Sequence, residues 1–239
     1  MLSSGSILKS LSSSACCAFL FLTVLSSSVF ARTIEGKIKV SPPFPSTATF
    51  LIPEKDQEAC GKEKRSPRVL LTPKGYLANA VIKLKGDFPF SPDTAQKTEV
   101  LLNQQGCEFA PHVILADPQD TVSILNSDPF VHNVRAFDSK INMLFNDGMP
   151  PENNLLKKKF PTPGQYTVRC GIHKWMHAVL IVKEHPYYTL SGTDGSFKLE
   201  NVPEGKLSLI VWHEMLGEIT EEIPADKNTF EIVFPSKKI

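Results

Sequence analysis

The sequence predicts an all-β fold, and three observations lead to this prediction. The 239 residues include 19 prolines and 13 glycines, β-branched and aromatic residues recur in short runs, and almost no segment has a helical period. We predict strands at residues 36–40, 78–85, 99–103, 121–126, 165–170, 178–183, 196–199, 207–212 and 229–234. The one helix that we predict covers residues 152–159.

The first 31 residues have the order of a cleavable export signal. Lys9 is the only cation there, an apolar stretch follows over residues 15–25, and small residues lead to Ala31, where we predict cleavage. The apolar stretch is shorter than the roughly 20 residues that a membrane-spanning helix needs. We therefore expect a periplasmic or secreted protein with no membrane span after signal cleavage.

The charge of the chain disfavours one class of partner. The full sequence has 26 Lys and Arg against 25 Asp and Glu, and removal of the signal removes Lys9, so the mature chain has formal charge zero. A chain without excess positive charge is a poor ligand for nucleic acid, and we expect none as a partner.

Three cysteines follow the predicted cleavage site: Cys60, Cys107 and Cys170. Exported compartments let disulfides persist, and an odd number leaves one thiol unpaired. Cys60 and Cys107 lie in similar settings of small residues and are candidates for a disulfide, although the sequence alone lets any two of the three pair. Whether Cys170 stays free depends on its neighbours.

The segment QYTVRCGIHKWMHAVLIV, residues 165–182, brings three sulfur and nitrogen ligands close together. Cys170 is in phase with the inward residues of a predicted strand, so its thiol faces the core. A short loop then carries His173 and Met176, and His132 follows an earlier apolar strand. Copper that cycles between Cu(I) and Cu(II) suits one thiolate, two imidazoles and a weak thioether ligand.

These residues lie in DTVSILNSDPFVHNV and PGQYTVRCGIHKWMHAVLIV, which resemble the cupredoxin family of plastocyanin and amicyanin over roughly residues 99–183. The spacing Cys-x2-His-x2-Met is more similar to the short amicyanin loop. The resemblance implies a Greek-key β-sandwich with one copper ion. The implied ligands are His132, Cys170, His173 and Met176. Asn133 falls on the family's asparagine, which ties the two ligand-bearing loops together and tunes the sulfur.

Two further histidines depart from the family pattern. His177 directly follows Met176, and His112 stands where simple cupredoxins require no histidine. Either is a candidate for a competing ligand or for a second, weaker metal site. Consecutive strand residues point to opposite faces, which argues against His177 in the copper site. For His112 we favour a hydrogen-bonded or surface role.

After Lys183 the pattern changes to that of a second, smaller β-sandwich with turns at residues 193–195 and 203–205. The segment TDGSFKLENVPEGKLSLIVWHE resembles carboxypeptidase regulatory-like (transthyretin-like) modules. So short a module is marginal alone, and the N-terminal strands could join either sandwich. We divide the chain into an export signal (1–31), an N-terminal β segment packing on the sandwiches (32–98), a cupredoxin domain (99–184) and a regulatory-like module (185–239).

The sequence predicts an electron carrier and not an enzyme. Protein side chains fill all four implied metal positions, and no paired carboxylates, nucleophile elbow or phosphate loop has supporting context. We expect one-electron transfer through Cu(II)/Cu(I) cycling, with a redox partner docking transiently near the exposed edge of His173. One alternative is periplasmic copper delivery or buffering, suggested by His112 and His177. Another is an adhesion or ligand-binding sandwich with an incidental metal site.

Overall fold

The computed structural model describes residues 31–89 and 98–236, so all of the predicted export signal except Ala31 lies outside the described residues. The strands are β1 (Ala31–Val40), β2 (Thr49–Leu51), β3 (Glu63–Arg65), β4 (Val81–Leu84), β5 (Glu99–Gln105), β6 (Glu108–Ala110), β7 (Val113–Ala116), β8 (Thr121–Asn126), β9 (His132–Phe137), β10 (Met143–Met149), β11 (Leu155–Lys158), β12 (Gly164–Arg169), β13 (His177–Val182), β14 (Tyr188–Leu190), β15 (Ser196–Pro203), β16 (Leu207–His213), β17 (Gly217–Ile223) and β18 (Thr229–Phe234). One short helix, α1 (Gln57–Cys60), and 3-10 turns at Glu54–Asp56 and Pro151–Asn153 complete the elements. The predicted all-β class is confirmed.

Within residues 31–89 and 98–236, no helix has the length and apolar character to cross a membrane.

The first sandwich stacks two sheets, ordered β10-β9-β12-β13-β7 and β11-β8-β5-β6. Strand β7 pairs in parallel with β13, and β5 pairs in parallel with β8, so the chain crosses between the sheets. Their inward residues, among them Leu102, Ile124, Val134 and Leu180, form one buried core. This core supports the strand ends that carry the candidate ligands.

The second sandwich includes strands from both ends of the described chain. Its sheets are ordered β15-β1-β18 and β14-β4-β16-β17. Strand β1 lies between β15 and β18, and Gly36 on it is required because a Cβ there would lie 2.1 Å from the carbonyl oxygen of Phe230. The N-terminal strands β1 and β4 therefore join the C-terminal strands, and Ile38, Ile82 and Leu209 share their core.

Between β1 and β4 the chain makes an insert that packs on the first sandwich. Strands β2 and β3 pair with each other, and α1 ends at Cys60, which forms the predicted disulfide with Cys107. Ile52 and Cys60 are buried in the core of the first sandwich. The N-terminal segment thus contributes strands β1 and β4 to the second sandwich. Its insert packs on the first sandwich and is joined to it by the Cys60–Cys107 disulfide.

The predicted helix over residues 152–159 is wrong. Pro151–Asn153 form a 3-10 turn, and β11 pairs antiparallel with β8 at the edge of a sheet. Leu156 and Lys158 are half-buried while Leu155 and Lys157 are exposed, which is the two-residue period of a strand. Leu and Lys favour helices when no partner is present, and here the free edge of β8 outweighs that local preference.

Strand β1 should contribute to global stability because Ile38 is fully buried in the second core. We expect Ile38→Ala to lower the free energy of unfolding by about 2–5 kcal/mol, measured by urea denaturation. The control Leu51→Ala truncates a side chain that is 83% exposed, and should change it by less than about 0.5 kcal/mol. Equal effects of the two substitutions would contradict the place of β1 in this core.

Candidate metal centre

The four candidate ligands come from two places at one end of the first sandwich. His132 is the first residue of β9, whereas Cys170, His173 and Met176 lie on the turn between β12 and β13. The Nδ1 atoms of His132 and His173 are 2.9 Å apart, and Cys170 Sγ is 4.0 Å from His132 Nδ1. All four side chains are buried, with exposures of 0% to 5%.

Backbone hydrogen bonds within the turn after β12 hold the sulfur of Cys170 near the imidazole of His173. The Met176 N–H donates to the His173 carbonyl, and the Cys170 N–H donates to the Met176 carbonyl, which closes a tight loop. The N–H groups of Ile172 and His173 point at Cys170 Sγ from 3.4 Å. Burial alone raises the pKa of the Cys170 thiol, but the hydrogen bonds from His132 and from the backbone outweigh it and lower the pKa. The loop therefore favours a thiolate.

His132 is oriented by Asp128, a buried acid that the sequence analysis missed. His132 Nε2 donates to Asp128 Oδ2 at 2.8 Å, and the carboxylate also accepts the N–H groups of Gly106 and Cys107 at 2.6 and 2.9 Å. With a hydrogen on Nε2 directed at Asp128, the other ring nitrogen of His132, Nδ1, faces His173 and Cys170. The sequence feature that could have identified Asp128 is its position four residues before His132, a candidate ligand.

The same contacts set the charges at this end of the sandwich. Burial lowers the pKa of His132, but hydrogen bonds to Cys170 and Asp128 outweigh it and the net shift is upward. Burial raises the pKa of Asp128, and the donors around the carboxylate outweigh it and lower the pKa overall. Burial and the neighbouring His132 both lower the pKa of His173, which favours its neutral, metal-binding form.

His173 is less accessible than the sequence analysis predicted. Its side chain is only 5% exposed, so the expected exposed edge is wrong. The ring packs 5.1 Å from Trp175 and 6.1 Å from Phe130, measured between ring centroids. Outside Trp175 lies an open cavity of about 480 Å³ that Leu51 and Ile172 also line. The insert therefore forms part of the surface nearest to His173.

Asn133 connects the two ligand-bearing segments. Its Oδ1 accepts the N–H of Gly171 at 3.0 Å, and its Nδ2 donates to the Asp147 carbonyl at 3.1 Å. A Cβ on Gly171 would lie 2.6 Å from Asn133 Oδ1 and from the guanidinium of Arg135, so a larger residue there would displace these side chains. Strand β9 and the loop after β12 are thus held side by side.

Cys107 lies beside the centre but is not a thiol. Its sulfur is within 4.8 Å of ligand nitrogens of His132 and His173, yet it is bonded to Cys60. Among the described residues, Cys170 is the free cysteine. The disulfide therefore packs directly against the candidate centre. Trp175 Nε1 also donates a hydrogen bond to the Cys107 carbonyl at 3.0 Å.

His112 and His177 are not brought to this centre. Met176 points into the first core, whereas His177 begins β13 and faces the second sandwich. There His177 and His112 both contact Glu214, at 2.7 and 2.8 Å. Glu214 was missed because it follows β16, and nothing in the sequence links that strand to the ligand loop.

The donor set fits copper. His132 Nδ1 lies 2.9 Å from the ring nitrogen of His173 and 4.0 Å from the sulfur of Cys170, and the thioether of Met176 lies in the same buried loop. These are the ligand types that suit a copper ion changing between Cu(I) and Cu(II).

Comparison with known proteins gives only distant likenesses. No protein-family model and no curated protein matches the chain. Solved structures that are similar include amicyanin from Paracoccus versutus, with 19% identity and a TM-score of 0.33 over 43% of this chain and 97% of that one. A purple cupredoxin from Nitrosopumilus maritimus has 19% identity and a TM-score of 0.32, covering 35% and 99%.

A pseudoazurin from Sinorhizobium has 22% identity and a TM-score of 0.31, covering 37% of this chain and 76% of its own. Identities and TM-scores are low throughout, so we draw no conclusion from these likenesses and rely on the geometry of the centre. The structures to which this chain is similar are nevertheless cupredoxins.

Proposed function

We propose that this chain is an exported cupredoxin-like type 1 copper protein that transfers single electrons. The observation that carries the proposal is the burial of His132, His173 and Cys170 together, with His132 Nδ1 at 2.9 Å from His173 Nδ1 and at 4.0 Å from Cys170 Sγ. Copper, when bound, would supply one-electron chemistry through its Cu(II)/Cu(I) couple. Met176 would be its weak axial ligand.

The protein's contribution would be to hold the ligands still. Asp128 fixes the ring of His132, and the Asn133 bond to Gly171 fixes the second ligand segment against the first. Ligands that move little between oxidation states need little reorganisation when an electron enters or leaves. The backbone N–H groups near Cys170 Sγ would further stabilise the thiolate.

Electrons would leave and enter at the His173 side of the centre. His173 is buried, and the surface beyond it carries exposed apolar side chains, with Leu51 at 83% and Ile172 at 45% exposure. Such an apolar surface suits brief docking of a redox partner protein. Because Trp175 stacks on His173, the partner would contact Trp175 and the insert instead of the ring itself.

We infer that the centre is not catalytic, because all four ligand side chains are buried and protein groups fill all four metal positions. The Cys60–Cys107 disulfide and the predicted export signal together support an oxidising, exported location. Copper delivery is the second candidate function. It is less favoured because ion transfer between proteins needs ligands that an acceptor can reach.

The copper-loaded protein should show an intense thiolate-to-copper visible band. We expect this band in the wild type and its loss in Cys170→Ser, because the hydroxyl of serine is not a soft ligand. The control His185→Gln changes a buried histidine that bonds to the Leu84 carbonyl in the other sandwich, and should keep the band. A wild-type protein without such a band after Cu(II) titration would refute the proposal.

Asp128→Asn should weaken copper binding by about 10–100-fold, because the neutral amide orients and activates His132 less well than the carboxylate. Competition titration with a chelator measures the affinity. The matched control is Asp120→Asn, another buried acid, which accepts the N–H groups of Thr98 and Asp117 away from the centre. Equal copper affinities for wild type and Asp128→Asn would show that Asp128 has no role at the centre.

Electron transfer and copper delivery predict different fates for the metal. An electron carrier should keep its copper through repeated oxidation and reduction, whereas a delivery protein should hand Cu(I) to an acceptor on mixing. We expect the copper content, measured by elemental analysis after each cycle, to stay constant. Rapid stoichiometric loss to a Cu(I)-binding acceptor protein would favour delivery instead.

A further inference from the structure

A second cluster of ligand side chains lies between the two sandwiches. His112 Nε2 is 2.8 Å from Glu214 Oε2, and His177 Nε2 is 2.7 Å from Glu214 Oε1. The ligand atoms of the three residues all lie within 4.8 Å of one another. We propose that this cluster binds a divalent transition ion of the zinc class, at a site separate from the candidate copper centre.

The contacts of His112 place either a proton or a metal ion between its Nε2 and Glu214. His112 Nδ1 lies 3.2 Å from the carbonyl oxygen of His177, an acceptor, so Nδ1 carries a hydrogen. In a neutral ring Nε2 then has a lone pair, which would face a carboxylate oxygen at 2.8 Å. Two acceptors at that distance repel unless a cation lies between them. A proton on Nε2 is one such cation, and a metal ion is the other.

The surroundings of His112 and Glu214 match those of known metal ligands. Metal-binding histidines commonly donate their second ring N–H to a carbonyl, as His112 does to His177, and ligating carboxylates are themselves hydrogen-bonded. Arg68 Nε donates to Glu214 Oε1 at 2.7 Å, which leaves Oε2 free to ligate. The side chain of Arg68 is 41% exposed and adds a positive charge beside Oε1.

The distances allow an ion with little rearrangement. Zinc ligands lie about 2.0–2.2 Å from the ion, so neighbouring ligand atoms in a tetrahedron are roughly 3.3 Å apart. The present contacts of 2.7 and 2.8 Å are those of hydrogen bonds, and a retreat of Glu214 by about half an ångström would admit the ion. Two histidines and one carboxylate leave a fourth position for water.

The ion would bridge the two sandwiches. His112 and His177 precede Val113 and Val179 of the first sandwich, and these valines pack against Val81 of the second in a small buried cluster. Glu214 belongs to the second sandwich. A ligand bound only by the docked arrangement stabilises that arrangement, so the ion should raise the stability of the whole chain.

Zinc titration of the full mature chain tests this proposal. We expect the candidate copper centre to bind zinc as well, so calorimetry of the wild type should give two equivalents, and Glu214→Gln should lose one of them. The ring nitrogen signals of His112 and His177 should shift on zinc addition in the wild type but not in Glu214→Gln. Zinc should raise the melting temperature of the wild type by more than that of the variant. His185→Gln is the matched control and should behave as wild type.

The zinc site does not depend on the proposed electron transfer. Cys170→Ser should still show the zinc-induced shifts of His112 and His177, even if the wild type fails to form a blue copper centre. A second variant, His112→Gln, covers the case in which Glu214→Gln fails to fold, and it should also lose one equivalent. Zinc that shifts only His132 and His173, or equal titrations of Glu214→Gln, His112→Gln and wild type, would overturn the proposal.

Discussion

The buried carboxylate of Asp128 is the constraint on which the candidate centre depends. It accepts three hydrogen bonds, one from the ring of His132 and two from the backbone of Gly106 and Cys107. A buried charge is tolerated only when such donors compensate it. In satisfying that requirement the protein fixes the orientation of the His132 ring and ties it to the turn that carries the disulfide. Through Cys60, the same turn holds the insert over the His173 side.

Strand alternation divides the neighbouring residues Met176 and His177 between two clusters. Met176 lies in the core of the first sandwich with Cys170, and His177 faces Glu214 at the boundary with the second. The two clusters differ in chemistry as well as in place. The first offers sulfur and imidazole in a buried set that suits a redox ion. The second offers two imidazoles and one carboxylate, which would leave the fourth position of a tetrahedral ion to water.

The arrangement of the N-terminal segment explains why so short a C-terminal region can have a core. Strand β1 completes one sheet of the second sandwich and β4 completes the other, while the residues between them cover the first sandwich. The two sandwiches are therefore linked by chain crossings as well as by the packing of Val81 against Val113 and Val179. This construction brings the insert, the ligand loop and Glu214 into one region.

The all-β class and the local geometry of the ligand loop were predictable from sequence, because strand period and loop spacing depend on adjacent residues. The alternation that turns Cys170 inward is a property of β12 alone. Only the tertiary structure decided the pairing of β1 with β18, the edge strand in place of the helix at residues 152–159, and the contact of His112 and His177 with Glu214. Each of these depends on a partner segment that is distant along the chain, and the local sequence pattern does not identify that partner.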